Sequence, residues 1–292
     1  MATTHTNVGL QIYSNKVIAE IRRKLAAVFA FSLDLSDEAK QVGDKVRVPL
    51  ITADAADEFN ASTNNYKATK SDLTDREVSI NKRKLAKFGI DDLQAATNSP
   101  NWWERKAEAN ANACALAALD DILSLVTGDN FGDEAGDKVA LALASVSLKG
   151  IASVRAAAVK KGLNPSIAAL VLNSDYYSAL LGCLDSAAYG GAEAIRTGVI
   201  PNLLGFAKII EAPTMTLAGF VCHPDAIAVA NRYLAPVEPR SYQEVGTAKD
   251  EDSGLTVGVR KYGDPDTGLL SVSCELAYGR EIGNSGALLR IV

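Results

Sequence analysis

The chain has 292 residues, 48% of them hydrophobic, and a mean hydropathy of +0.04, which is enough apolar material for one large or two modest cores. No run approaches the roughly eighteen consecutive apolar residues of a membrane span, and residues 1–30 carry no apolar block ahead of a small-residue cleavage site, so nothing in the sequence directs the chain out of the cytoplasm. The net charge of -5, from 30 basic and 35 acidic residues, argues against a domain built to grip nucleic acid tightly.

In residues 8–31, Leu10, Ile12, Val17, Ile18, Ile21, Leu25, Val28 and Phe29 recur at mostly helical spacing, with Arg22, Arg23 and Lys24 on the polar side. This predicts an amphipathic N-terminal arm, with a helix near 14–29 flanked by extended chain. KVRVPL then puts Val46, Val48 and Leu50 on one face of a strand, and REVSIN does the same with Val78 and Ile80. Between them, residues 51–77 hold only four large apolar side chains, Ile51, Phe59, Tyr66 and Leu73, too few for a core of their own. A structureless stretch of this length is uncommon inside a compact domain unless it is functional or disordered. The pattern predicts a two-armed projection held by neighbouring molecules. Lys82, Arg83, Lys84 and Lys87 follow, read as a solvated strand end balanced by Asp91 and Asp92.

A helix starts next, with Ser99 as N-cap, Pro100 at its first position and Glu104 in the first turn. It runs without glycine or internal proline to Thr127, roughly 27 residues or roughly 40 Å at about 1.5 Å per residue. Ala107, Ala111, Cys114, Ala118, Ile122 and Leu125 form a stripe of mostly small side chains, suited to close packing on a sheet or helix. GDNFGDEAGD, 128–137, is a turn-rich separator. In the middle region, 147–161 reads as a helix stopped by Gly162, 167–173 as a buried strand, 174–181 as a helix capped by Ser174, 206–212 and 219–224 as strands, and 225–234 as a helix. Strand and helix alternate, so this part reads as an α/β layer. Toward the end the period becomes two: Leu255, Val257 and Val259, then Leu270, Val272, Cys274 and Leu276, flank the turn sequence GDPDTG and predict an antiparallel hairpin. ALLRIV, 287–292, adds a last strand.

Chemistry is sparse. Of the two histidines, His5 lies in the polar N-terminal tail and His223 precedes Pro224 at a strand end, where capping or packing is the default. The sequence has no phosphate loop, dinucleotide fingerprint, HExxH or nucleophile elbow. Asp264, Asp266 and Glu275 stand at calcium-loop spacing, but Leu269 occupies the position that needs glycine, and a hairpin turn explains the segment better. Cys114, Cys183, Cys222 and Cys274 each sit among apolar or small residues and read as buried, reduced thiols.

The order of parts, with GDKVRVP (43–49), VSINKRKLAKFGIDD (78–92), SDYYSALL (174–181), IRTGVIPNLLGFAKIIEAP (195–213) and GLTVGVRKYGDPDTG (254–268), resembles the major capsid proteins of tailed bacteriophages, the Hong Kong 97 phage capsid fold. The resemblance implies an α+β chain: an N-terminal arm (1–39), an extended loop over a neighbouring subunit (40–92), a peripheral domain with a long spine helix and antiparallel sheet (93–137), an α/β axial domain (138–250), and closing strands (251–292). It implies a non-enzymatic, cofactor-free subunit that self-assembles through pentamers and hexamers into an icosahedral shell around phage DNA. The DNA would be touched weakly and without sequence specificity, no membrane would be involved, and assembly would occur in the host cytoplasm. A separate scaffold, portal and decoration proteins are candidate partners, since no scaffolding segment is visible before the arm. Phe59 and Tyr66 would be interface anchors, with Lys67, Lys70, Arg22 and Arg23 as further intersubunit candidates. The loop's nine basic and nine acidic residues between 44 and 92 suit a strip that pairs with complementary neighbours. The same fold leaves an encapsulin-like compartment shell as the alternative, and an α/β ligand-binding enzyme as a more distant one.

Overall fold

The computed structural model describes residues 3–34, 43–50, 58, 59, 62, 74–91, 100–184, 200, 203–238, 241–250, 253–264 and 267–292. Helix α1 (Thr3–Lys24) is followed by a 3₁₀ turn, Ala26–Ala30, and strand β1 (Ser32–Asp34). The arm is therefore helical from well before residue 14 and leaves the α-helix at Lys24. The tighter turn swings Phe31 round to stack on Phe220, ring centroids 6.0 Å apart.

Strands β2 (Lys45–Leu50) and β3 (Thr74–Ser79) pair antiparallel from Lys45 opposite Ser79 to Leu50 opposite Thr74, forming a two-stranded ribbon. Burial along β2 alternates as its sequence does, with Val46, Val48 and Leu50 covered. After Asn81 the chain enters β4 (Lys82–Ile90), which joins a different sheet. The spine helix α2 (Pro100–Leu123) follows, 24 residues and roughly 36 Å long. It stops short of the expected Thr127 because Thr127 caps the next turn instead, its hydroxyl accepting from the Asn130 amide at 3.3 Å. Ser99, the expected cap of α2, lies outside the described residues.

The remaining elements are β5 (Lys138–Val139), α3 (Leu148–Lys160), β6 (Ala169–Leu172), α4 (Ser174–Gly182), β7 (Lys208–Glu211), β8 (Gly219–Cys222), β9 (Ile227–Asn231), β10 (Glu244–Lys249), β11 (Thr256–Asp264), β12 (Leu269–Ile282) and β13 (Leu288–Ile291). Two expectations are corrected here. The expected helix at 225–234 is instead the end of a 3₁₀ turn (Pro224–Ala226) and strand β9 (Ile227–Asn231), because IAVAN has no polar face for a helix and buries both sides in a sheet. Helix α4 is capped by Asn173, whose side chain accepts from the Tyr176 amide at 3.0 Å, while the Ser174 hydroxyl donates to Glu211 at 2.5 Å. Helix α3 starts on Ser147 as N-cap, and Gly162 after it takes φ +90, a conformation natural to glycine.

The fourteen-residue β12 organises the larger sheet. On one edge it pairs with β4 over Leu270–Tyr278; on the other it pairs first with β11 over Leu269–Glu275 and then with β9 over Tyr278–Ile282. Strand β10 pairs with β11, and β1 lies parallel to β9. Side chains of β12 alternate between two environments. Val272, Cys274 and Leu276 join Val257 and Val259 in a core covered by α1 and α2, through Tyr13, Val17, Ile21, Ala107, Ala111, Cys114, Ala118 and Ile122. Burying α2's small residues brings the helix close to both its neighbours. On the opposite face, Ala277 with Ala228 and Ala230 of β9 forms a seat for Val46, Val48, Val78 and Ile80 of the ribbon. Gly279 is needed at this crossing, since a Cβ there would stand 2.3 Å from the Ser79 carbonyl oxygen.

The second sheet has the order β5-β13-β8-β6-β7. One face of it, Val171, Phe220, Cys222 and Leu288, closes the first core; the other, Leu170, Leu172, Val221, Leu289 and Ile291, packs with Ile151, Val154, Ala158 and Leu180 of α3 and α4. Burial on both faces explains why β6 reads as an unbroken apolar run. Among the described residues no helix is long and apolar enough to cross a membrane.

Candidate assembly surfaces

The ribbon has a dry side and a wet side. Its wet side carries Lys45, Arg47 and Glu77, with Lys45 Nζ 2.7 Å and Arg47 3.8 Å from the Glu77 carboxylate. The Lys45 hydrogen bond and charge hold the Glu77 carboxyl below its ordinary value. Such exposed pairs set cross-strand register more than they stabilise. Phe59 is 58% exposed, a large aromatic facing solvent for much of its surface. Tyr66, Lys67 and Lys70 lie outside the described residues.

Arg22 and Arg23 sit on α1 and point along the body. Arg22 meets Asp250 at 3.1 Å, and Arg23 donates to Glu20 at 2.7 Å and 3.0 Å. They share an open groove of about 480 Å³ with Lys208, Phe29 and Ile210. The structure thus brings these two predicted residues together, and separates them from the ribbon.

The outer face of the large sheet, beside the ribbon's seat, holds a buried carboxylate between two arginines. Glu275 on β12 is 3% exposed and receives Arg83 at 2.5 Å and Arg260 at 3.4 Å. Arg260 also donates to the Leu234 carbonyl at 3.0 Å and lies over the Tyr242 ring, 5.3 Å from its centroid. With Leu85, Tyr262 and Ser273 these residues line an open groove of about 260 Å³. Two members of the basic cluster of β4 are met by acids of other elements: Arg83 by Glu275, and Lys82 by Asp121 of α2 at 3.9 Å. Of the two acids expected to balance this cluster, Asp92 lies outside the described residues. Alternation along the strand puts Arg83, opposite Ala277 in the β4–β12 ladder, on the same face as Glu275 and diagonal to it. Asp121 is a clasp in its own right, accepting from Tyr278 at 3.0 Å and from Arg280 at 2.9 Å, which pins the spine helix to β12.

Glu275 points into this arginine pair, which removes it from any calcium loop. His223 accepts the Asn164 amide proton through Nε2 at 2.8 Å, a packing role as expected. It lines a wide groove of about 850 Å³ with Lys161, Ile167 and Asp225. Among the described residues no group of three or more His, Cys, Asp or Glu side chains is placed to hold a metal ion. Of the cysteines, Cys114, Cys222 and Cys274 are buried, but Cys183 at the end of α4 is exposed, because the helix closes there and only its apolar stripe faces the core.

No protein-family model matches the chain, and no curated protein matches it in sequence. Solved structures do match. The capsid of Ralstonia phage GP4 aligns with a TM-score of 0.55 at 12% identity, over 90% of this chain and 86% of that one. A chain of Mycobacterium phage Che8 aligns at 0.52 and 17%, over 85% and 84%. A virus-like particle from Pyrococcus furiosus aligns at 0.54 and 12%, over 95% and 96%. The chain has the capsid fold of tailed phages. At these identities the likeness lies in the fold, so the capsid-type fold, and no residue role, is what these neighbours share with it. Within that fold the seated ribbon, the spine helix α2 and the long strand β12 are the elements whose geometry has just been described.

Proposed function

We propose that the chain is a major capsid protein, a structural subunit that self-assembles into an icosahedral shell around a phage DNA genome. One observation carries this reading: a two-stranded ribbon whose base is buried on its own body leads into a stretch, residues 51–73, with too few apolar side chains to pack there. Its likeness to the GP4 capsid over 90% of the chain supports the same conclusion. In this reading, 1–39 is the N-terminal arm, 40–92 the loop over a neighbour, 93–137 the peripheral domain, 138–250 the axial domain and 251–292 the closing strands. Phe59, Tyr66, Lys67, Lys70, Arg22 and Arg23 serve at subunit interfaces, and the protein works without enzymatic activity. Pentamers and hexamers are its own copies. Scaffold, portal and decoration proteins are separate partners, DNA is touched weakly, and assembly takes place in the host cytoplasm before the virion leaves.

The virus-like particle from Pyrococcus furiosus, aligned over 95% of this chain, supports a second reading as the shell of an encapsulin-like compartment. Electron microscopy of purified protein, alone or with a scaffold, tests both: closed shells or capsomers are expected, and a strict monomer across concentration overturns both. Packaged nucleic acid selects the capsid, enzyme cargo the compartment. Deleting 54–74 is expected to leave native-like circular dichroism and abolish shells. Loss of folding would instead make the loop part of the subunit's own core.

A further inference from the structure

We propose that Cys114 and Cys274 are a latent disulfide, which closes inside the subunit when a hydroperoxide oxidises the pair. The two sulfurs lie 3.7 Å apart, one in the middle of α2 and the other in the middle of β12, at 2% and 0% exposure. That is a non-bonded contact about 1.7 Å longer than an S–S bond. The other cysteines have no such arrangement: Cys222 is buried among apolar groups, and the Cys183 thiol donates to the Val146 carbonyl at 3.3 Å.

The surroundings give the sulfurs different roles. The two thiols share a hydrogen bond in which either sulfur can donate, and the Tyr13 hydroxyl adds another contact to Cys274; together they hold Cys274 toward the thiolate despite burial. The same shared contact, with burial, pushes Cys114 the other way. Tyr13 is itself fixed by the Asn110 amide, which donates to its oxygen at 2.9 Å. The Cys274 thiolate attacks one oxygen of hydrogen peroxide, the O–O bond breaks, and the departing hydroxide takes up a proton to leave as water. The resulting sulfenic acid is attacked by the Cys114 sulfur. The S–S bond forms as the S–O bond breaks, and the hydroxyl leaves as a second water with the Cys114 proton. Two thiols are oxidised and one peroxide is reduced to water. The product ties the spine helix covalently to β12 across a sequence separation of 160 residues. A reducing cytoplasm keeps the pair open during folding, and an oxidising exterior closes it; this last step, and no other, rests on the capsid reading.

The test treats the purified, intact protein with hydrogen peroxide, quenches it, denatures and alkylates it, and digests it without reduction. Mass spectrometry is expected to find the Cys114 and Cys274 peptides joined and lighter by a pair of hydrogens, with a thermal midpoint raised by on the order of 5 °C and restored by dithiothreitol. In Cys114→Ala, a 1,3-diketone probe is expected to trap Cys274 as the sulfenic acid. Exposed Cys183 is the internal control. If Cys183 is fully oxidised while Cys114 and Cys274 both still alkylate as free thiols, the proposal is overturned, whether or not the variant folds. The readout is made within one subunit, so it does not depend on whether shells form.

Discussion

Replacing Glu275 with alanine leaves Arg260 without its carboxylate while the rest of its pocket stays in place. The carboxylate is 3% exposed, the Arg260 side chain 9% and the Arg83 side chain 45%, so the two arginines respond differently. Arg83 turns into water, and its half of the loss is small, at most about 1 kcal/mol for so exposed a pair. Arg260 cannot follow. Truncating one partner of a buried pair costs about 3–5 kcal/mol, and the lower end applies here because Arg260 keeps the Leu234 carbonyl and the Tyr242 ring. A loss of about 3 kcal/mol lowers the midpoint of a chain this long by about 6 °C. Calorimetry on unassembled protein at one fixed concentration measures it, since assembly would add its own stabilisation. The double variant Glu275→Leu with Arg260→Met removes both charges of the buried pair and is expected to recover most of the loss. A single variant that melts within about 0.5 kcal/mol of the parent would refute the claim that this pair is desolvated.

Asp137 is held below the ordinary carboxylate value, first by the hydrogen bond from Lys161 at 2.8 Å and then by its charge. A depressed folded-state pKa means its contribution is whole above the ordinary 3.8 and fades as pH falls below it, so Asp137→Asn is expected to flatten the acid limb of the stability–pH curve there and to change nothing in its slope near neutrality. An unchanged acid limb would count against the pair. Gly279→Val drives side-chain atoms into the Ser79 carbonyl, whose oxygen would lie 2.3 Å from the new Cβ, and the ribbon is expected to lift from β12 at a cost of about 1–3 kcal/mol. Faster proteolysis between β2 and β3 reports the lift; unchanged cleavage would show that the ribbon is held elsewhere.

Periodicity found whatever has one wet face. Strand β2 and helix α3 alternate or recur as their burial does, and the inward stripe of α2 is buried at Ala107, Ala111, Cys114, Ala118 and Ile122. It failed where burial is two-sided: IAVAN looks alike as helix or strand, and only its place between β1 and β12 makes it β9. Strand β10, with its weak alternation, left no readable signal. Of the candidate interface residues, the exposure of Phe59 follows from its polar surroundings, while the engagement of Arg22 with Asp250 depends on a residue 228 positions away. Glu275 was hidden for the same reason. A lone acid in an apolar strand carries no mark of the two arginines that folding brings to it.

The ribbon's base and its outer stretch obey different physics. At the base, valines and Ile80 lie on alanines and Gly279, so two backbones approach closely and the direction of departure is set by the large sheet. From Ser79 the chain reaches β4 within a few residues, and β4 is laddered to β12 along nine pairs. Any force on the ribbon is therefore delivered to the strand that also carries the Asp121 clasp and the spine helix. Residues 51–73, by contrast, bring too little apolar surface to offset the entropy of ordering them on their own body. In the capsid reading proposed above, such a segment gains most by lying on a second copy, and each copy that accepts one presents its own to the next. Repeated around a closed ring of identical subunits, that handing-on would turn a folded monomer into a shell.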